Sequence, residues 1–185
     1  MNKKKWIYIS GGLLALTSAS FVVYKGFPQV WYNWFKAKLW DSKTEDIINR
    51  LHPKIRGKTR AFIKASEKKG YKLKITSGLR TFEEQDNLYA KGRTSSGNIV
   101  TNARAGSSYH NFGLAFDVVE IVNGSAIWDN PNWKEIGNLG KKYGFEWGGD
   151  WTGFVDKPHF QFTYGFSTND LFTKVGNNTG QYVRV

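Results

Sequence analysis

The chain has 185 residues and no cysteine, which excludes disulfides and cysteine-ligated zinc or iron–sulfur sites. Any metal must therefore be held by His, Asp or Glu, and the length suits one ordinary domain with an accessory segment. A formal charge of +12 fits either a plain basic surface or an anionic partner: nucleic acid, anionic lipid or an acidic cell-wall polymer.

The N-terminus narrows that choice. "MNKKK" is a basic cluster, and residues 6–24, "WIYISGGLLALTSASFVVY", carry no charge. That run is about as long as a bilayer-crossing helix. Lysines ahead of it stay cytoplasmic and send the remainder outward. Trp6 and Tyr8 at one end, with Tyr24 and Phe27 at the other, match the aromatics expected at membrane interfaces. A cleaved signal peptide is the rival reading, because small residues stand near Ala19. A buried core helix is a third, against which the basic flank counts. Both export readings place most of the chain outside the cytoplasm and disfavour nucleic acid as a partner. The expected organisation is residues 1–25 as anchor or signal, 26–41 as an aromatic and basic juxtamembrane linker, 42–167 as the domain, and 168–185 as a polar, partly ordered tail. The linker suits either a short amphipathic helix in the membrane interface or packing on the domain.

From about Asp41 the periodicity becomes that of a folded domain. Ile47, Ile48 and Leu51 recur at helical spacing, and Pro53 starts a new helix whose apolar side is Ile55, Phe62 and Ile63, with Gly70 as its stop. "YKLKITSG" alternates like a strand. Thr81 and Glu84 form a capping-box pattern ahead of a helix that buries Leu88 and Tyr89 and ends at Gly92. A polar, Gly/Ser-rich loop spans residues 93–111, and a loop of that length is more often functional than average. "GLAFDVVEIV" reads as a strand, and "NGSAIW" as a turn into another. A helix follows, capped by Asn130 with Pro131 at its first position, and ends at Gly144. "FEWGGDW" is turn-rich, and "KPHFQFTY" is a short strand. This order predicts an α+β fold with a small, mainly antiparallel sheet flanked by helices.

The chain has only three histidines. His52, in "RLHPKI", sits at a helix break and reads as a cap or packing residue. His110 ends the Gly/Ser-rich loop, and Asp117 follows on an apolar strand, where a carboxylate is costly to bury unless it is paired or binds a metal. Ala115, Asp117 and Val119 share one strand face, and Gly113 lets the chain turn so that His110 approaches Asp117. His159 lies on a second strand. Two imidazoles and a carboxylate suit a zinc that activates water. Half-buried histidines beside a hydrogen-bonded Asp are the plainer alternative.

"SYHNFGLAFD" fits S-x-H-x-x-G-x-A-x-D at Ser108, His110, Gly113, Ala115 and Asp117. With "ITSGLRTFEEQDNLYAKGRT" before it and "FEWGGDWTGFVDKPHFQ" after it, the chain resembles the zinc peptidases of the D-alanyl-D-alanine carboxypeptidase superfamily (peptidase family M15). It is most similar to the L-alanyl-D-glutamate endopeptidase branch of phage endolysins and bacterial cell-wall hydrolases. The resemblance covers residues 47–164 and implies a zinc site at the sheet, with ligands His110, Asp117 and His159. It also implies a catalytic acid/base at Asp156, with Asp150 as the rival that spacing does not separate from it, and a functional arginine at Arg80. Arg80 would stabilise an oxyanion or form a structural salt bridge. Ser108 and Gln85 have supporting or ordinary roles open to them; Trp147 and Trp151 line a cleft or pack a turn. The implied activity is zinc-dependent hydrolysis of peptidoglycan stem peptides, at the L-Ala–D-Glu bond, by a monomer held in the bacterial cytoplasmic membrane. The alternatives are a D,D-carboxypeptidase removing terminal D-Ala and a non-catalytic cell-wall binding module.

Overall fold

The computed structural model describes residues 29–175. From Asn33 onward the described residues form one compact unit, which holds the sheet and the helices packed on it. Helix α1 (Gln29–Arg50) leads into α2 (Pro53–Lys68). Neither proline nor glycine occurs between Pro28 and Pro53, so nothing interrupts a helix that runs through Asp41, where the domain was expected to begin. Residues 6–24, expected to cross the membrane, lie outside the described residues. Among the described residues no helix is long and apolar enough to cross a membrane.

The break between α1 and α2 follows from its chemistry. Pro53 lacks the N–H that an α-helix interior needs but suits a first turn. His52 caps α2, its Nδ1 accepting the Lys54 N–H (3.3 Å), which is the capping role read from the sequence. Beyond α2 come β1 (Leu73–Ser77) and α3 (Phe82–Ala90). The Thr81–Glu84 capping box forms as expected, with both reciprocal hydrogen bonds in place. After the long loop, a 3₁₀ turn (Tyr109–Phe112) leads into β2 (Ala115–Val122) and β3 (Ser125–Ile127). Helix α4 (Trp133–Lys142), β4 (Glu146–Trp147), β5 (His159–Gln161) and α5 (Thr168–Val175) complete the order. Helix α4 starts two residues later than the Asn130–Pro131 signal suggested. Asn130 instead accepts the Asn132 N–H (2.8 Å) and closes a turn before the helix.

All strand pairings are antiparallel, in the order β1-β2-β5-β4, with β3 also on β2. The α+β expectation holds. The two-residue period of the strands then separates core from chemistry. Phe116 and Val118 of β2 and Phe160 of β5 point into the core, each fully buried. There Phe62 of α2 packs against the Phe160 ring (centroids 4.9 Å apart) and the Phe116 ring (6.2 Å). The alternate residues, Asp117 and His159, are direct cross-strand partners, and Asp117 is also paired with Ser77 of β1. Directly opposed residues place their side chains on the same face, about 5 Å apart. The sheet register thus brings a carboxylate and an imidazole together.

Gly113 fixes the third member. It closes the 3₁₀ turn in the left-handed region (φ 66°), and a Cβ there would lie 2.9 Å from the His52 nitrogen. The close approach carries a hydrogen bond from the His52 N–H to the Gly113 carbonyl (2.8 Å).

The C-terminal segment differs from expectation. Thr168 does not open a loose tail but helix α5, because Ser167 and Asp170 cap each other reciprocally (3.2 and 2.9 Å) and Leu171 is fully buried in the core. Residues 176–185 lie outside the described residues.

Two substitutions check this packing. Leu171→Ala is expected to cost about 2–5 kcal/mol in denaturant unfolding, whereas a loosely held tail would cost nothing. Gly113→Ala, strained both in φ and in its contact with the α1–α2 junction, is expected to cost on the order of 1–3 kcal/mol.

Candidate metal centre

Three donor atoms converge on the sheet face opposite the core. His110 Nε2 and Asp117 Oδ1 lie 3.2 Å apart, His159 Nδ1 and Asp117 Oδ1 3.1 Å, and the two ring nitrogens 3.2 Å. Both histidines are buried, and the Asp117 side chain is only 15% exposed.

The hydrogen bonds of the rings determine which nitrogens carry lone pairs. His110 Nδ1 faces the Gly78 carbonyl (2.7 Å), an acceptor only, so Nδ1 is the protonated nitrogen and donates. That leaves Nε2 as a bare lone pair. His159 uses the opposite atoms. Its Nε2–H donates to Gln161 Oε1 (3.0 Å), and the Gln161 amide is oriented by donating from its own Nε2 to Glu146 (2.9 Å). Two lone pairs and a carboxylate oxygen thus face one another, an arrangement that repels itself unless a cation or proton sits among them. Ligands about 2.0–2.1 Å from a tetrahedral zinc stand about 3.3 Å from each other. The observed triangle therefore fits a zinc, with the ligand atoms of all three residues within 4.8 Å of one another. A three-ligand set also leaves a coordination position for water or substrate.

The charges around the centre follow from the same contacts. Burial pushes His110 below the usual imidazole range. Burial opposes protonation of His159 too, but the Asp117 carboxylate beside its Nδ1 (3.1 Å) favours the imidazolium and lifts it above that range. Burial alone would raise Asp117, yet the two imidazoles hold its carboxyl well below the usual carboxylate range.

Arg80 completes the carboxylate's partners. Its guanidinium donates to Asp117 Oδ2 (2.6 Å), to Ser77 Oγ (3.0 Å) and to Gln85 Oε1 (3.4 Å). Arg80 is therefore a salt-bridge partner of Asp117 and retains two further N–H donors. Gln85 is the buried residue of α3, whereas Leu88 and Tyr89, expected inside, are only half-buried. The reason is that Gln85 faces the site: its amide donates to the Ala103 carbonyl (2.8 Å) and so joins Arg80 to the long loop. Ser108 caps the 3₁₀ turn by accepting the His110 N–H (3.3 Å).

The two candidate acid/base carboxylates occupy different surroundings. Asp150 is exposed and ion-paired with Lys134 (3.3 Å) and Lys141, whose hydrogen bond lowers its carboxyl below the ordinary range. Asp156 is half-buried and its carboxylate has no hydrogen-bond partner among the described residues. Burial first, then the nearby charge of Asp117, raises it above the usual value. Its backbone is seated firmly: its N–H donates to the Gly148 carbonyl (3.0 Å), and a Cβ at Gly148 would fall 2.4 Å from the Asp156 carbonyl oxygen. Trp151 lies beside the His159 ring (centroids 4.9 Å apart). Trp147 is buried and donates to the Lys157 carbonyl (2.7 Å), which makes it a packing residue.

Residues 48–167 match the family model described as VanY, D-alanyl-D-alanine carboxypeptidase. The chain belongs to this family of zinc peptidases. It is 48% identical over 125 residues to the peptidoglycan L-alanyl-D-glutamate endopeptidase CwlK of Bacillus subtilis, covering 62% of this chain and 75% of that protein. It is 33% identical over 135 residues to the L-alanyl-D-glutamate peptidase of Listeria phage A118, covering 69% of this chain and 43% of the phage protein. Among solved structures, the Serratia marcescens L-Ala D-Glu endopeptidase ChiX matches with a TM-score of 0.51 and 25% identity over 65% of this chain and 86% of that one. The family's metal chemistry and the donor set agree on zinc as the cofactor.

Sequence reading missed Gln161 and Glu146. Strand alternation puts Gln161 on the same face as His159, two residues on, and pairing with β4 brings Glu146 opposite it. Gln161→Leu removes the acceptor that holds the His159 tautomer. It is expected to weaken zinc binding on the order of 10- to 100-fold, read by competition with a chromogenic chelator.

Proposed function

We propose that the chain is a zinc-dependent peptidoglycan endopeptidase that cuts the L-Ala–D-Glu bond of stem peptides. The observation that carries this reading is the convergence of His110, Asp117 and His159 with both outer imidazole nitrogens already committed as donors. Similarity to CwlK, at 48% identity, supports the choice of bond. We assign those three residues as the zinc ligands, in a protein that acts outside the cytoplasm as a monomer, held at the membrane by residues 6–24.

An amide resists hydrolysis because its carbonyl is weakly electrophilic and its nitrogen leaves poorly. Zinc, when bound, supplies Lewis acidity that polarises a carbonyl and brings the pKa of a water to near neutral. The rest falls to the side chains. Asp156, without a hydrogen-bond partner among the described residues and next to the ligands, accepts the proton of the attacking water and delivers it to the departing amine. Its raised carboxyl pKa suits a group that must both take and give a proton. Arg80 keeps Asp117 aligned, and its remaining N–H donors stabilise negative charge developing on the carbonyl oxygen. Trp151 shields the site from bulk water beside His159.

The family description names a carboxypeptidase, so release of terminal D-Ala is the competing outcome. Digestion of a defined stem peptide, with the products weighed, separates the two. Loss of the L-Ala-bearing fragment supports the endopeptidase, and loss of a single D-Ala refutes it. Asp156→Ala is expected to reduce turnover by at least about 10²-fold while keeping one zinc per chain. His110→Ala is expected to lose the metal itself, as read by elemental analysis. Retained turnover in Asp156→Ala would remove that residue from the mechanism.

A further inference from the structure

The segment between β4 and β5 holds a loop that is tied at its base and open at its tip. The N–H groups of Trp151 and Asp156 both donate to the Gly148 carbonyl (3.3 and 3.0 Å), so one acceptor closes the loop. That base is built onto a residue of the metal centre. The His159 N–H donates to the Asp156 carbonyl (3.2 Å), the Trp151 ring lies against the His159 ring, and a Cβ at Gly148 would stand 3.1 Å from the His159 Cβ. No backbone hydrogen bond ties residues 152–155 to the rest of the described chain. Gly153 turns the tip at a left-handed φ of 92°, and a Cβ there would meet nothing within 4 Å.

The tip carries Phe154 and Val155, 41% and 53% exposed, in a run without charge over residues 151–155. Adjacent large apolar side chains in water stand at a hydrophobic cost that contact with a partner would relieve. Chain connectivity fixes where they stand. The Cα of Val155 lies about 3.8 Å from that of Asp156, and the Cα of Phe154 no more than about 7 Å from it. Both are therefore within two residues of the group assigned to move the proton.

The proposed reaction supplies what meets them. L-Ala gives the acyl side of the cut bond a methyl group and no charge, whereas D-Glu gives the amine side a free carboxylate. An uncharged apolar tip gains by covering the methyl and loses by desolvating the carboxylate.

We propose that Phe154 and Val155 pack on the side chain of the residue that contributes the carbonyl of the cut bond, and so set a preference there for an apolar residue over an equally small polar one. The proposal rests on the endopeptidase reading, and its test reads binding so that the two can fail separately. Two analogues of the L-Ala–D-Glu unit carry a phosphinate in place of the scissile amide, one with the alanine methyl and one with the hydroxymethyl of serine. Their dissociation constants are measured by calorimetry with the full chain loaded with zinc. The wild type is expected to bind the alanine analogue roughly tenfold more tightly, because a hydroxyl covered by apolar side chains has no partner. In Phe154→Ser/Val155→Ser this preference should vanish while zinc content and melting temperature stay unchanged. The apolar pair Phe154→Leu/Val155→Ile should keep it. Binding of neither analogue by the wild type, equal binding of both, or a preference that survives the serine pair overturns the proposal. A preference that vanishes only together with the bound zinc, or in the apolar pair as well, gives the loop a structural role and overturns it too. If the natural peptide is left uncut while the preference appears and vanishes as stated, the endopeptidase reading fails and this contact stands.

Discussion

A carboxylate embedded in a sheet is the constraint around which this molecule is organised. Asp117 is paired with Ser77 on one side and His159 on the other, on a strand whose remaining residues are almost all buried. A charge in that position is costly unless every oxygen is answered. One oxygen is answered by Arg80, and the other faces two imidazoles. Each imidazole in turn has its outer nitrogen fixed, one by a backbone carbonyl and one by a glutamine that a glutamate orients. The satisfaction of one charge thus specifies a turn, two strands and the loop behind Arg80.

Much of this was legible in the sequence where the signal is local. The capping box at Thr81, the cap at His52 and the strand alternation around Asp117 are short-range patterns, and they appear as read. The three donors were legible because histidine is scarce here and because the S-x-H-x-x-G-x-A-x-D motif is specific. What stayed hidden depends on pairing across the sheet or on a single buried contact. Glu146 reaches the metal centre only through Gln161, fifteen residues away. The sequence leaves Gln85 open to a supporting or an ordinary helix role, and only the Arg80 guanidinium placed beside it favours the first. The α5 helix looks too polar to be held, yet one leucine in the core, with a reciprocal cap, orders it.

The two candidate bases illustrate why spacing is a weak guide to role. Asp150 and Asp156 lie six residues apart in one turn-rich segment, and both are carboxylates near His159 in sequence. Their difference is one of company. Asp150 has two lysines, which keep it ionised and occupied. Asp156 has none, and burial and the charge of Asp117 outweigh the opposing charges of His159 and Arg80. A carboxylate without a hydrogen-bond partner among the described residues is the better suited of the two to the proposed proton transfer.

The contact between His52 and Gly113 has a bearing on how this fold can diversify. The first two helices meet at a junction of two residues, and that junction touches the backbone of the turn that presents His110. Adding or deleting a residue there would displace the turn that carries His110, so its length is pinned. Residues 93–104, by contrast, are mostly exposed and held through a few polar contacts from Gln85 and Arg93, so length can change there at small entropic cost. Length variation is therefore inexpensive in that loop and costly at the junction between the helices.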